Sequence, residues 1–342
     1  MSVAHDHTAG CACGIDVHAH VIPHDLPRYV GNRLPSDWPS MAPAHACHRH
    51  VIIQGSVYRT VSERAWSASR RIEDMDPMGL AVQAISPMPE LLSYWMEPNA
   101  AAQLLRYMNE QIANMAALSG GRLVGMGAVP LQDLDLALAE LDHVADKLGF
   151  KAIEVGSNVN GKAIGSPEFV PFLAACADKG VAVFVHALKP AGADRLVGPD
   201  KLLPALAYPT DVGLAAASVL TSNLIGRIPD LKMAFSHGGG TLASLLPRLE
   251  QARQVFPALA DAMPESPSTQ ARRLFYDTLV FDAPALRHLV DRFGASQLMI
   301  GTDYPFAFHD ARPVDSIAAA VGDADVRAQL VTRNAARFLG LE

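Results

Sequence analysis

From about residue 70 to its end, the chain repeats one unit. A short apolar run, often β-branched, is followed by a longer segment with apolar residues three to four apart. The short runs are Ala81–Ser86, Arg122–Ala128, Lys151–Val155, Val181–His186 (VAVFVH), Lys232–His237 (KMAFSH), Leu274–Asp277 and Gln297–Asp303 (QLMIGTD). With an earlier run at 14–18, they make eight expected strands. The intervening segments read as helices over 71–78, 97–118, 133–148, 167–179, 211–226, 241 into the 250s and 284–293, with a helical C-terminus. Strands apolar on both faces that alternate with helices form a parallel sheet covered on each side. Eight such units, with no glycine-rich dinucleotide fingerprint after the first strand, predict a closed (β/α)₈ barrel over an open doubly wound sheet.

One stretch breaks the rhythm. Residues 21–60 carry Pro23, Pro27, Pro35, Pro39 and Pro43, and Val51–Arg59 resembles a hairpin with Gly55 near its middle. We read 21–60 as an inserted flap or small β subdomain within a single domain spanning 1–342, of the kind that covers a site. Residues 257–270 read as loop, and 1–13 as a loose leader. His5, His7, Cys11 and Cys13 in that leader are expected to have no structural zinc role.

Composition narrows the function. Net charge is −7 with no basic stripe, which argues against a nucleic-acid partner. Four irregularly spaced cysteines suit reduced thiols in the cytoplasm. No signal-peptide pattern is found, and Gly, Pro or charge interrupts each apolar stretch, so no membrane partner is expected.

The histidines then fall into place. His18 and His20, two apart on a strand, point to one face. They end strand one, His186 ends strand five, His237 strand six and Asp303 strand eight. In such barrels chemistry sits at the C-terminal ends of the strands. Neutral imidazoles and a carboxylate bind zinc or a similar divalent ion. His18, His20, His186 and Asp303 are the expected ligands, with His237 as general acid or base beside a metal-bound water. Glu154, near the end of strand four, is read as a supporting or packing residue, so one metal ion is expected. The run Gly238–Gly240 is read as letting backbone pass close to the metal pocket, with an anion cradle as the alternative.

The segments IDVHAH, RIEDMDPMGLAVQAISP, MGAVPLQDLDLA, IEVGSNVNG, VFVHA, FSHGGGTL, YDTLVFDAPAL and GTDYPF resemble the amidohydrolase superfamily, in its aminocarboxymuconate semialdehyde decarboxylase-like branch. The resemblance implies a distorted TIM (β/α)₈ barrel with a small β insertion after strand one. It implies one divalent metal, usually zinc with manganese as an alternative, and nonoxidative decarboxylation of an unsaturated or aromatic carboxylate in aromatic-compound catabolism. It matches the metal ligands to His18, His20, His186 and Asp303 and the catalytic histidine to His237. Arg59 falls where these decarboxylases carry a substrate-carboxylate arginine; a solvated flap arginine is the competing reading. A homodimer is implied, with a partner-chain arginine for which Arg248 and Arg253 are the candidates. The chain departs from the pattern after His186, where Ala187-Leu188-Lys189-Pro190 replaces Pro-Trp-Asp, and Lys189 is either a pocket cation or solvated. A lactone or amide hydrolase would use the same five residues, and a noncatalytic barrel is the third reading.

Overall fold

The computed structural model describes residues 13–199 and 201–342. The leader residues His5, His7 and Cys11 lie outside the described residues. Eight parallel strands follow one another in space in chain order. They are β1 (Gly14–Val21), β2 (Leu80–Pro87), β3 (Leu123–Ala128), β4 (Ala152–Gly156), β5 (Ala182–His186), β6 (Met233–Phe235), β7 (Phe275–Asp277) and β8 (Leu298–Met299). Parallel bridges from Asp16 to Ile300 and from Ala19 to Tyr304 join the last strand to the first. The chain is therefore a TIM-type (β/α)₈ barrel, irregular at the β8–β1 seam, as the alternating pattern predicts.

Two apolar layers hold it. Ile15, Val17, Ala84, Met126, Phe184, Ala234, Phe275 and Met299 fill the barrel interior, with Phe338 and Leu339 of the C-terminal helix in the same cluster. The opposite strand faces, including Val183, Val185 and Phe235, pack against helices through residues such as Leu105, Ile112, Phe172 and Val219. Between β1 and β2, Ser40–Pro43, His48–Ile53 and Ser56–Ser62 form an antiparallel three-stranded sheet, turning at Gln54-Gly55. Val51 and Val61 of this sheet bury against Met88, Leu91, Leu104 and Met108. The sheet is thus seated on the mouth of β2 and on helix Pro98–Ala117.

Several boundaries differ from expectation. β8 is only two residues long, so Asp303 lies on the loop beyond it rather than on the strand. The 257–270 region holds two short helices, Pro257–Ala262 and Pro267–Ala271, each opened by a proline that fits the first helical turn. The helix expected from 211 begins earlier, and 203–221 is long and apolar enough to cross a membrane by length and composition. It packs as a barrel helix, with Val212, Ala216, Val219 and Leu220 in the core.

Candidate metal centre

A bulge in β1 sets the first two histidines. Asp16 pairs with Gln83 and Ala19 with Ile85, so Val17 and His18 together oppose Ala84 alone. Val17 joins the interior cluster, and the next residue, His18, also turns inward, its ring 5.2 Å from that of Phe184. Strict alternation would have sent His18 outward; the extra residue reverses the parity. His20 then follows on the same face as His18, with ring centroids 5.1 Å apart. Buried Asp16 pins the bulge by accepting from His18 N (3.0 Å), Gln83 Nε2 (2.8 Å) and Thr302 Oγ1 (2.6 Å).

Each of the three inner histidines has its Nδ1 occupied. His18 Nδ1 lies 2.7 Å from Asp277 Oδ2, His20 Nδ1 3.1 Å from the Pro87 carbonyl, and His186 Nδ1 2.8 Å from the Ala187 carbonyl. A carbonyl or carboxylate oxygen only accepts, so Nδ1 carries the hydrogen and Nε2 keeps its lone pair. Burial holds His20 down to about 3 and His186 to about 4, the neutral form that binds metals.

The free nitrogens converge. His18 Nε2 and His20 Nε2 are 3.2 Å apart, and Asp303 Oδ1 lies 3.2 Å from His20 Nε2 and 3.5 Å from His18 Nε2. One donor atom from each of His18, His20, His186 and Asp303 fits within 4.8 Å of the others. His186 Nε2 and Asp303 Oδ1 are buried with no hydrogen-bond partner. Burial pushes the Asp303 carboxyl up to about 7, opposed by His186 and Arg59. Lone pairs crowded together and left unpartnered are unstable alone and suited to a shared cation. A tetrahedral zinc would set neighbouring ligands about 3.3 Å apart. The residues present therefore fit one divalent metal.

His237 stands beside this cluster without joining it, its ring centroid 5.3 Å from His18 and 5.1 Å from His186. Its Nδ1 lies 2.9 Å from Ser236 Oγ, and its backbone N donates to Asp277 Oδ2 at 2.9 Å. Burial and then the charges of His186 and His18 hold it in the neutral form, well below the usual histidine range. His237 and Asp303 both adopt left-handed backbone, φ +54° and +64°. Strain of this kind collects at functional sites.

Asp277 is the residue the sequence reading did not single out. Its Oδ2 holds both His18 Nδ1 and His237 N, while Oδ1 accepts from Gly238 N (2.7 Å) and Leu279 N (3.1 Å). Its signal was present: it ends β7 at the same face of the barrel as the histidines. Glu154 accepts from Ser86 Oγ at 2.6 Å and lies 3.6 Å from His20 Nδ1, on the side of that ring away from the converging nitrogens. The glycine run packs more than it lines: a Cβ on Gly240 would fall 1.8 Å from the Pro209 carbonyl, and one on Gly239 2.5 Å from Tyr276.

Arg59 is brought to the rim. Its guanidinium lies 3.9 Å from the Phe306 ring centroid, and Phe306 stacks on His20 at 5.4 Å. Lys189 instead lays its ammonium on Trp95, 3.6 Å from the ring centroid.

A TIM-type barrel carrying a His-x-His pair, a third histidine and an aspartate at its strand ends defines a metal-dependent enzyme scaffold. The family model described as Amidohydrolase matches residues 15–341, and the chain belongs to that family. It is 31% identical to the 2-amino-3-carboxymuconate-6-semialdehyde decarboxylase of Dictyostelium discoideum, over 96% of this chain and 92% of the relative. The crystal structure of Metarhizium anisopliae IDCase in apo form superposes with a TM-score of 0.81 at 22% identity, covering 98% of this chain and 99% of that one. The 5-carboxyvanillate decarboxylase LigW from Sphingomonas paucimobilis gives 0.72 at 26% identity, covering 79% and 82%.

Proposed function

We propose that this protein is a metal-dependent nonoxidative decarboxylase of a small unsaturated or aromatic carboxylate, with His18, His20, His186 and Asp303 holding the metal and His237 moving the proton. The observation that carries the reading is the set of unpartnered donors, with a neutral imidazole beside it but outside it. Relatives of named activity, at 31% and 26% identity, are decarboxylases, which favours this reading over a lactone or amide hydrolase on the same five residues.

In the reaction the bond to the carboxyl carbon breaks, its electron pair stays on the substrate carbon, and a proton takes the place of CO₂. A divalent ion bound by the four ligands would supply a Lewis acid that draws negative charge from the substrate. Arg59, with no ion pair of its own among the described residues, offers a guanidinium fork to a carboxylate. His237 takes up a proton at Nε2 and hands it to the carbon that loses CO₂, while Ser236 and Asp277 fix the residue's ring and backbone.

Purified protein incubated with conjugated carboxylates should release CO₂; turnover of lactones or amides alone would reverse the assignment. Arg59→Ala should raise KM by about 10- to 100-fold, the worth of a hydrogen bond to a charged group, with a smaller change in kcat. Arg59→Lys should restore little of it, because the fork is lost. An unchanged KM would return Arg59 to the solvated flap.

Zinc is the metal of this reading, and metal analysis of the purified protein decides between zinc and manganese. Adding back metal at a hundredfold over its dissociation constant should stabilise the folded state by about 2.7 kcal/mol over chelator-treated protein. No upward shift in melting temperature would count against the site. A homodimer is also part of the proposal. Arg253 is tied to its own chain, donating to the Met263 and Pro264 carbonyls, whereas Arg248 makes no hydrogen bond or ion pair among the described residues and is free to reach a partner. The free thiols Cys13, Cys47 and Cys176 suit a cytoplasmic location.

A further inference from the structure

The stretch RIEDMDPM takes no part in the chemistry described so far. Its first residue, Arg71, lies on helix Ala68–Met75, between the inserted sheet and β2, and is fully buried. Among the described residues no carboxylate forms an ion pair with it. Asp74 stands one turn along the same helix, but it is taken by Arg64 Nε (2.6 Å) and the Tyr304 hydroxyl (2.7 Å). The adjacent Arg70 is an ordinary surface arginine, exposed and paired with Glu63 and Glu73. A cation removed from water without a counter-charge is costly, and an apolar side chain of similar size often serves a core as well. Arg71 therefore needs a reason beyond packing.

Its contacts supply one. Nη2 donates to the His20 carbonyl at 2.5 Å and Nη1 to Gln83 Oε1 at 2.6 Å, while the guanidinium carbon lies 4.7 Å from the centroid of the Tyr304 ring. Each contact leads to a metal ligand. His20 is itself one, and its N–H donates to the Tyr304 carbonyl at 2.7 Å, so the residue is held at both ends. Gln83 donates to Asp16, which accepts from His18 N at the bulge and from the Thr302 hydroxyl. Tyr304 directly follows Asp303. One guanidinium thus reaches three of the four donors, and those three straddle the β8–β1 seam. Only the bridges Asp16–Ile300 and Ala19–Tyr304 cross that seam in place of a continuous ladder. The fourth donor, His186, ends β5, which is in full register with β4.

We propose that Arg71 is a positioning residue for the metal centre. Its planar fork holds His20 and, through Gln83 and Asp16, His18; its face against Tyr304 sets the Asp303 loop beside them. This rests on the metal-centre part of the reading above and is independent of the reaction class.

The test loads chelator-treated protein with cobalt(II), whose visible absorption reports the geometry of its ligands. Arg71→Met keeps the apolar stem and loses the fork. It should bind cobalt about 10- to 100-fold more weakly and show altered visible bands at saturation. Arg71→Lys restores the charge at a single point and should recover only part of the affinity. Should Arg71→Met fail to fold, Arg71→Lys decides on the same two readouts. A merely structural role would lower the melting temperature of the chelator-treated variant and leave the cobalt affinity and bands of the folded protein unchanged; that result overturns the proposal. Failure of the unaltered protein to bind cobalt overturns the metal centre and the proposal together. Cobalt binding that depends on Arg71, in a protein that releases no CO₂ from any conjugated carboxylate, upholds the proposal and removes the reaction class alone.

Discussion

Replacing His237 by Asn is expected to lower kcat by roughly 10²- to 10⁴-fold, the range associated with a positioned acid or base, while metal content stays at the unaltered level. The choice of Asn follows from the backbone. His237 has φ +54°, a region costly to most residues but tolerated by Asn, so the substitution should not unfold the turn. An amide also still bonds locally, whereas it cannot take up and release a proton near neutral pH. His237 lies outside the four-donor cluster, so its loss should leave the ligands in place. The measurement pairs turnover with metal per chain. Full activity in the Asn variant removes His237 from proton transfer. Loss of metal together with activity would show instead that His237 belongs to the coordination shell.

The alternation of apolar runs and helices made the barrel legible, because parallel strands buried on both faces leave a distinctive pattern. The placement of His186 was equally accessible, since β5 is regular and His186 is its last residue. His18 faces the centre for a reason that the spacing alone does not contain. Spacing of two puts His18 and His20 on one face, but which face depends on the bulge at Val17–His18, and one extra residue leaves no mark in a hydrophobic pattern. Asp303 was tied to a strand that proves only two residues long; it reaches the centre through a left-handed turn whose N–H donates to the His18 carbonyl at 2.8 Å. The inserted sheet was underestimated, because its first strand, Ser40–Pro43, is short and flanked by prolines. The contacts of Glu90, which accepts hydrogen bonds from the phenols of Tyr58 and Tyr208, were not readable at all. They join residues 32 and 118 positions away, and no local pattern encodes a phenol arriving from across the barrel.

The same limit hid Asp277, where the other large effect is expected. Asp277→Asn should weaken metal binding by about 10- to 100-fold, the usual loss when a partner behind a metal-bound histidine is removed. Turnover at saturating metal should fall as well, since the same carboxylate holds His237. The geometry leaves the amide no good orientation. Asp277 uses both oxygens as acceptors, Oδ2 for His18 Nδ1 and His237 N, and Oδ1 for Gly238 N and Leu279 N. Asn has one acceptor oxygen and one NH₂. If the oxygen faces His18, the NH₂ meets the N–H groups of Gly238 and Leu279. If it faces the backbone, His18 Nδ1 loses its acceptor and its Nε2 is no longer fixed as the lone-pair nitrogen. Either arrangement sets donor against donor in a fully buried place, which costs about 1–3 kcal/mol per unsatisfied group. Metal titration followed by turnover at saturation separates the two consequences. Reduced affinity with full recovery of rate at high metal would confine Asp277 to His18. Reduced rate that metal cannot restore is the expected result, and it makes Asp277 the joint between the metal ligands and the proton carrier.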